Sequence, residues 1–548
     1  MATADFQVQI TNRSGLPDSS VFVTAFGTGY LPSPPPDWPS NQGPPYTSPN
    51  QSFIAFADGQ GSWATPSATP PMTLSQGYSY PLDSFPADGD GYLLALPAGT
   101  GRIYLSLGAQ LCLAVTAATG VGGVTLVGIA APAPGNPNDP NYQVIYDFLQ
   151  FNWNPAYRFP PVGPPAAAAA AISLTAVDAF GIPMTLELDG QTAGIGRTLA
   201  EVQSTLLGGN PGAAPPQPGL DDPRFAATWG QLPVAASDGT VVRVLSPATA
   251  AAAFQEAGYL QGYIDQVWSA YAAPNTLRIW VDIPGQPITS GTYTGSVNAD
   301  NDFVFKPPNP QAPPVSLPCP DTQTVFTCSG QLSGVSAWIP QNGEPQGIIV
   351  SALATAMNLG ILPLPQPTVL TNNFSTLSLP TYYDGPPGAA PAYNLYAALL
   401  HSGTPKHHPD ELYAFAFDNV AGDSGQMYTR DPATTARVTI HGLGGVTPPP
   451  LTGSGSYKVT LVAGAGGSGA VTLTPAGTSS PVTYTFANLP GNDQQPSVTI
   501  TGAPATFTVT YDSGSGEQDY LVNLFTQSTC PPGQVSFQEG GTLLAWPA

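Results

Sequence analysis

The chain has few charged residues and very few basic ones. Charged residues make up 8% of its 548 positions, and 12 Lys and Arg stand against 34 Asp and Glu. The net charge of −22 repels polyanions, so we expect no nucleic-acid partner and no binding to anionic membranes. No apolar run reaches the length of a transmembrane helix, so we also expect no membrane insertion. Neutral polar ligands suit this surface better than phosphates.

Histidine and cysteine are scarce as well, which argues against a metal centre. The chain has 4 of each and no Cys-x-x-Cys spacing, so we expect no metal and no cofactor. His407 and His408 are adjacent, but Pro409 and Asp410 follow them directly. That context favours a solvated loop over a pair of metal ligands.

The even number of cysteines permits an oxidised, extracellular protein. Cys319 and Cys328 flank a short segment that a disulfide could close, whereas Cys112 and Cys530 are equally well explained as buried free thiols. The chain begins in an alternating strand, without the basic and apolar regions of a signal peptide. We expect an extracellular or cell-surface protein that lost a signal or leaves by another route; a protein that stays inside the cell is the alternative.

Glycine and proline are abundant, with 60 Gly and 65 Pro. Proline is excluded from helix interiors and central strands, so this composition predicts a mostly β protein with many turns and long loops. Hydrophobic residues make up 42% of the chain, enough to form sizeable cores, and the length predicts two or three domains.

The residue pattern changes twice along the chain. Alternating segments at 6–11 and 20–26 predict a β-hairpin, and further strands follow. Helical spacing appears at 198–207, 246–271, 347–359 and 392–401, with Ser246 as a candidate N-cap of the second helix. After a Pro/Gly/Ser linker, short strands resume and predict a β-sandwich. The predicted domains are a β domain (1–190 and 410–445), an inserted α/β domain (191–409) and a C-terminal β-sandwich (446–548).

Two segments, 146–154 and 176–183, carry the candidate chemistry. In a strand, alternation places Gln150 and Asn152 on one face and Trp153 on the other. Asp178 lies in the second segment. Two neighbouring strands with inward polar groups could form a binding or catalytic site.

At these residues the chain resembles glycoside hydrolase family 64, the thaumatin-like endo-β-1,3-glucanases. The resemblance runs from about residue 5 to about residue 441. The order and spacing of several motifs together are more specific than any one motif. The motifs are Gln9–Asn12, Gly101–Gly108, Tyr146–Asp147, Val177–Pro183, Arg243–Pro247, Tyr263–Trp268 and Tyr413–Asp418.

The resemblance implies a barrel-like β domain, a mixed α/β domain and inverting hydrolysis of β-1,3-glucan. Inversion needs a general acid and a general base about 6.5–9.5 Å apart. The family's acid is a Glu at the position of Gln150, and its base matches Asp178. Asn152 stands where the family usually has Thr, and Asn154 matches a family Asn.

Several other residues have a binding interpretation and a structural one. Trp153, Tyr157 and Trp38 could stack on sugar rings, although aromatic residues in strands are more often core. Asp418 could line the groove or satisfy a turn, and Asp178 could cap the turn before Gly181. Cys328 matches a family cysteine whose usual partner position is Ala354 here, so a rewired Cys319–Cys328 disulfide would replace that bridge.

Three explanations of Gln150 stay open. It could be an engineered Glu-to-Gln trap in an active inverting glucanase, a natural loss of hydrolysis with binding kept, or a site in which Asp147 or Glu187 supplies the acid. We favour the second, because Asn152 and the insert at 155–171 also differ from the family. The expected partner is β-1,3-glucan or a related polysaccharide. A structural protein that self-assembles into an extracellular filament or surface layer is the alternative, and particle size would distinguish it.

Overall fold

The computed structural model describes the chain with gaps. Described are residues 6–31, 46–48, 50–66, 78–111, 113–119, 125–137, 139, 141–154, 170–195, 197–207, 223–236, 238–283, 288–328, 345–364, 368–370, 383, 393–401, 412–416, 426–429, 434–446 and 448, and the backbone of eight strands from 457 to 545.

Strands are the main secondary structure. The first sixteen are β1 (Phe6–Asn12), β2 (Val21–Leu31), β3 (Tyr46–Thr47), β4 (Ser52–Ala57), β5 (Gln60–Ala64), β6 (Ser79–Pro81), β7 (Ala87–Asp88), β8 (Gly91–Leu96), β9 (Gly99–Leu107), β10 (Ala114–Thr119), β11 (Thr125–Ala130), β12 (Ile145–Trp153), β13 (Ala170–Thr175), β14 (Ala179–Phe180), β15 (Met184–Leu188) and β16 (Gln191–Gly194). The next nine are β17 (Pro233–Ala235), β18 (Val241–Leu245), β19 (Leu277–Val281), β20 (Gly291–Val297), β21 (Asp302–Lys306), β22 (Val315–Pro318), β23 (Val369–Leu370), β24 (Gln426–Thr429) and β25 (Ala436–Ile440). The last eight are β26 (Tyr457–Val462), β27 (Gly469–Pro475), β28 (Val482–Phe486), β29 (Ser497–Ile500), β30 (Phe507–Asp512), β31 (Leu521–Thr526), β32 (Gly533–Ser536) and β33 (Thr542–Ala545).

Every described α-helix lies between residues 199 and 400. The helices are α1 (Leu199–Leu206), α2 (Pro223–Trp229), α3 (Ala251–Ala257), α4 (Gln261–Ala270), α5 (Thr322–Thr327), α6 (Pro345–Asn358) and α7 (Leu395–Leu400). The prediction of a mostly β fold with an inserted α/β part and added β-strands is confirmed. The predicted domain boundaries stay a prediction.

The chain folds into two compact units. One consists of Met1–Gly15, Asp147–Val234 and Arg243–Val446, and the other of Leu16–Tyr146, Ala235–Val242 and Thr447–Ala548. Because each unit combines distant stretches of the chain, neither could be delimited from composition alone.

The first unit contains β12 from Asp147 onward and every α-helix of the described residues. Its strands pair in the orders β16-β15-β25-β1 and β12-β13-β24, and β24 lies beside β15 and β16 in a barrel-like arrangement. A separate five-stranded sheet has the order β22-β21-β20-β19-β23. The short strand β14 pairs with β18, so Ala179 lies opposite Leu245.

Aromatic rings form the helical core of this unit. The ring of Trp229 packs edge-on against Phe254 at 4.7 Å and against Tyr259 at 5.3 Å between centroids. Helix α7 is buried on all sides, which is the pattern of a central helix. Asn394 caps it by accepting the backbone N–H of Ala397.

The second unit contains several groups of strands, one of which is the separate pair β10-β11. In another, β8, β5, β4, β2 and β9 are neighbours in that order, and β2 pairs with β9 from Val21–Leu107 to Gly29–Gly99. Gly27 is required in this pair, because an added Cβ would lie 2.1 Å from the Thr100 carbonyl oxygen. The strands after residue 456 form two four-stranded sheets, β29-β26-β31-β32 and β28-β27-β30-β33.

Three local predictions were wrong. In the described stretch 6–31, β1 and β2 form no hairpin: β1 pairs in parallel with β25, and β2 pairs with β9. The predicted helix over 246–271 is two helices, because Gly258 adopts the left-handed conformation (φ 66°) that ends α3. Ser246 does not cap a helix; its hydroxyl accepts the Thr249 N–H in a turn.

The predicted Cys319–Cys328 disulfide is also wrong, since both residues are free thiols. The segment between them is not a loop but helix α5, with Asp321 as its N-cap and Cys328 as its C-cap. Six helical residues span about 9 Å, and a disulfide needs Cα atoms roughly 4.4–6.8 Å apart. The two thiols therefore lie at opposite ends of a helix.

Candidate functional site

Strand β12 is exposed at Gln150. Asp147, Leu149, Phe151 and Trp153 face the core and are buried, whereas Gln150 is exposed and Asn152 is half-buried. Across the antiparallel pair with β13, Gln150 lies opposite Ser173 and Asn152 opposite Ala171. Burial therefore alternates as predicted from Leu149 to Trp153, with two amide side chains on the less buried face, whereas Tyr146 and Phe148 on that same face are buried.

Asp178 lies in the bend between β13 and β14, five residues after the position opposite Gln150. Its backbone carbonyl oxygen accepts the Ser246 N–H at 3.1 Å and the Thr249 hydroxyl at 2.7 Å. Its side chain is half-buried. The backbone therefore anchors the turn, and the side chain stays partly accessible to solvent.

Asp147 is a buried carboxylate on the core side of β12. Its Oδ1 accepts the Phe148 N–H at 2.9 Å, and its Oδ2 accepts the N–H groups of Gly181 at 3.0 Å and Ile182 at 3.3 Å. Burial raises the pKa of Asp147 to about 7, an effect that these N–H groups and the positive charge of Arg243 partly offset. Three backbone donors make this a structural carboxylate that faces away from Gln150.

Tyr396, on the buried helix α7, lies near the same carboxylates. Its hydroxyl donates to the Ala176 carbonyl oxygen at 2.7 Å. Its pKa is raised well above the ordinary value, first by burial and then by the charges of Asp147 and Asp178. Tyr396 thus contributes a neutral hydroxyl beside the segment that carries Asp178.

Glu187, the other candidate acid, is exposed on β15, where the register sets it opposite Arg437. It belongs to a strand that pairs with β16 and β25 rather than with β12 or β13. The structure therefore does not bring Glu187 onto the strand pair that carries Gln150.

The remaining candidates divide into core residues and residues outside the described ranges. Trp153 is 1% exposed, and its ring stacks on that of Phe6 at 5.9 Å between centroids. Its indole therefore packs in the core and does not offer a face to a sugar ring. Asn154, at the end of β12, is buried. Outside the described residues lie Tyr157, Asp418, Trp38, His407, His408, Cys112, Cys530 and the insert at 155–169. Among the described residues there is no group of three or more potential metal ligands and no helix long and apolar enough to span a membrane.

Arg243 and Tyr396 lie near the candidate site, and the sequence analysis did not place them there. Arg243 is fully buried in β18, and its sequence context, a single charge within Val241–Leu245, was an available signal. Tyr396 belongs to a helix of uniformly apolar residues, and nothing in that pattern indicates that its hydroxyl meets a carbonyl group 220 residues away.

Comparisons with known proteins point to one family. The family model Glyco_hydro_64: Beta-1,3-glucanase matches residues 40–440. A laminaripentaose-producing β-1,3-glucanase, solved in complex with laminaritetraose, is similar at 23% identity and a TM-score of 0.54, over 80% of this chain and 99% of that chain. A β-1,3-glucanase domain (GH64) from Clostridium beijerinckii is similar at 19% identity and a TM-score of 0.53, over the same shares of both chains. At these identities the two structures show a common fold. Comparison with curated proteins gave no match.

Proposed function

The chain belongs to the Glyco_hydro_64 family of β-1,3-glucanases, and we propose that it recognises β-1,3-glucan with hydrolysis weakened or lost. The observation that carries the proposal is the exposed carboxamide of Gln150 at the position that the family resemblance assigns to the general acid. An amide can hydrogen-bond a sugar hydroxyl, but it holds no proton that it can transfer to a leaving oxygen. General acid catalysis typically contributes ~10²–10⁴-fold.

Asp178 and Asn152 support binding at the same place. Asn152 shares the open face of β12 with Gln150, and the half-buried Asp178 follows the neighbouring strand. Amide and carboxylate groups on adjoining elements can accept and donate hydrogen bonds to a neutral polysaccharide. Neither Asp147 nor Glu187 is well placed to replace the missing general acid. Asp147 faces the core, and Glu187 lies on another strand.

The proposal is tested first by binding. Laminaritetraose, the ligand named for the relative solved as a complex, and laminarin are titrated into the protein by calorimetry. We expect saturable binding that weakens when Asp178 is replaced in Asp178→Asn. If neither glucan binds, the proposal that the protein recognises β-1,3-glucan is contradicted.

Hydrolysis is tested by restoring the acid. Gln150→Glu should release oligosaccharides from laminarin ~10²–10⁴-fold faster than the unaltered chain. The double variant Gln150→Glu/Asp178→Asn should be inactive, and Glu187→Gln, on a strand outside the site, should behave like the unaltered chain. Equal rates with Gln150 and with Glu at that position would sink the claim that the amide limits hydrolysis.

Extracellular location, self-assembly and the roles of Tyr157 and Asp418 stay predictions from the sequence.

A further inference from the structure

Residues 176–183, which we call the Asp178 loop, connect β13 to β15 and are held along their length. The Ala176 carbonyl oxygen accepts the Tyr396 hydroxyl, and at the other end the Pro183 carbonyl oxygen accepts the His441 N–H at 2.8 Å. Between these ends, β14 pairs with β18. The half-buried Asp178 side chain is thus presented by a segment whose backbone is anchored on both sides.

One anchor comes from strand β12 itself. The Asp147 carboxylate binds the N–H groups of Gly181 and Ile182, three and four residues after Asp178. Asp147 is also three residues before Gln150 on β12. A single buried carboxylate therefore ties the strand that exposes Gln150 to the loop that carries Asp178.

We propose that Asp147 is a positioning residue, whose buried carboxylate sets the place of Asp178 relative to Gln150. The proposal rests on the proposed function for its binding readout, but the contact itself can be tested without a ligand. A carboxylate suits this role because each of its oxygens accepts more than one hydrogen bond, so it can hold its own strand and the loop together.

The charged groups around Asp147 fix the expected pH effect. Arg243 on β18 and Tyr396 on α7 interact with it electrostatically, and Asp178 lies in the loop that it holds. Backbone N–H groups bind the ionised carboxylate more strongly than the neutral acid. The loop can therefore move away from a buried Asp147 more easily when that carboxyl group is protonated. Because the pKa of Asp147 is about 7, the loop should be held less firmly below about pH 7.

The first experiment measures hydrogen exchange at the Gly181 and Ile182 amides of the free protein. Asp147→Ala removes Oδ2, the one oxygen that accepts both N–H groups, so exchange should become about tenfold faster or more; Asp147→Asn keeps one carbonyl oxygen and should lie between. The matched control is Asp321→Ala, which removes a carboxylate that accepts the Thr324 N–H at 2.7 Å in α5. It should leave Gly181 and Ile182 unchanged.

Equal exchange at these amides in Asp147→Ala and in the unaltered chain would overturn the proposal. If Asp147→Ala fails to fold, the unaltered chain supplies the test by its own pH profile. Protection of Gly181 and Ile182, corrected for intrinsic exchange, should fall as the pH is lowered from about 8 to about 6, whereas the Thr324 amide, which donates to the N-cap Asp321, should not follow. A flat profile, together with equal exchange at these amides in Asp147→Asn and in the unaltered chain, would overturn the proposal equally.

The second experiment measures laminarin affinity for the same variants. Asp147→Ala should bind about tenfold more weakly, Asp147→Asn should lose less, and Asp321→Ala should bind normally although it is also destabilised. Unchanged affinity in Asp147→Ala would show that the contact does not position Asp178. If the unaltered chain binds no glucan, the proposed function fails, and the exchange measurement still decides the role of Asp147.

Discussion

Gln150 and Asp147 lie three residues apart on one strand and face opposite sides of it. Gln150 is exposed and is exchangeable at little structural cost, so it can report on chemistry alone. Asp147 is buried and hydrogen-bonded to three N–H groups, so its substitution affects packing, charge and loop position together. The two side chains therefore call for different kinds of experiment.

At the scale of the residue, Asp147 should make folding stability depend on pH. Its pKa is about 7 in the folded chain against 3.8 in the unfolded one. Between these values the unfolded chain has released the proton while the folded chain still holds it, so stability falls as the pH rises from about 4 to about 7. Asp147→Asn should lack this part of the slope.

Urea unfolding of both proteins across that pH range checks the prediction. The difference in unfolding free energy between Asp147→Asn and the unaltered chain should shift in favour of the variant as the pH rises. Parallel curves would show that the folded carboxylate titrates close to its ordinary pKa. Global stability thus falls as the pH rises, whereas the hold of Asp147 on the loop strengthens. The signs differ because unfolding exposes the carboxylate to water and a loop shift leaves it buried.

At the scale of the element, helix α5 decides the state of two cysteines. Burial raises the pKa of Cys328 to about 12 and is the main cause that raises the pKa of Cys319 to about 11. Thiols with such pKa values hold little thiolate near neutral pH and react slowly. We expect neither residue to be alkylated quickly in the folded protein.

Alkylation in denaturant without reductant, followed by peptide mass mapping, checks this prediction. Both Cys319 and Cys328 should be labelled, whereas native labelling should be slow, and slower at the buried Cys328 than at Cys319. A peptide pair linked by a disulfide between them would contradict the helical geometry of α5.

Strand β12 shows how far an element can be predicted. Its existence and the opposite orientation of Gln150 and Trp153 follow from the period of two in the sequence, whereas the exposure of Gln150 does not, because Phe148 on the same face is buried. The pairing of β1 does not follow, because its partner β25 begins more than 400 residues later. Local pattern specifies a strand, but distant packing selects its neighbour.

At the scale of the whole molecule, the net charge of −22 and the scarcity of bases bear on ligand choice. A neutral polysaccharide releases no counterions on binding, whereas a polyanion does. We expect laminarin affinity to change less than about twofold between low and high salt. Calorimetric titrations in increasing NaCl measure this, and a steep loss of laminarin affinity with salt would contradict a binding site made of uncharged hydrogen bonds.

The sequence by itself determined the mostly β composition, the helical insert, the strand that carries Gln150 and the family resemblance, because these depend on local periodicity, proline placement and short motifs. Only the tertiary structure decided that Asp147 holds the Asp178 loop, that Arg243 and Tyr396 lie beside it, that Trp153 packs in the core and that α5 separates two thiols. Each of these depends on which distant segments meet, and hydrogen bonds between segments far apart in the chain leave no local pattern in the residues that make them.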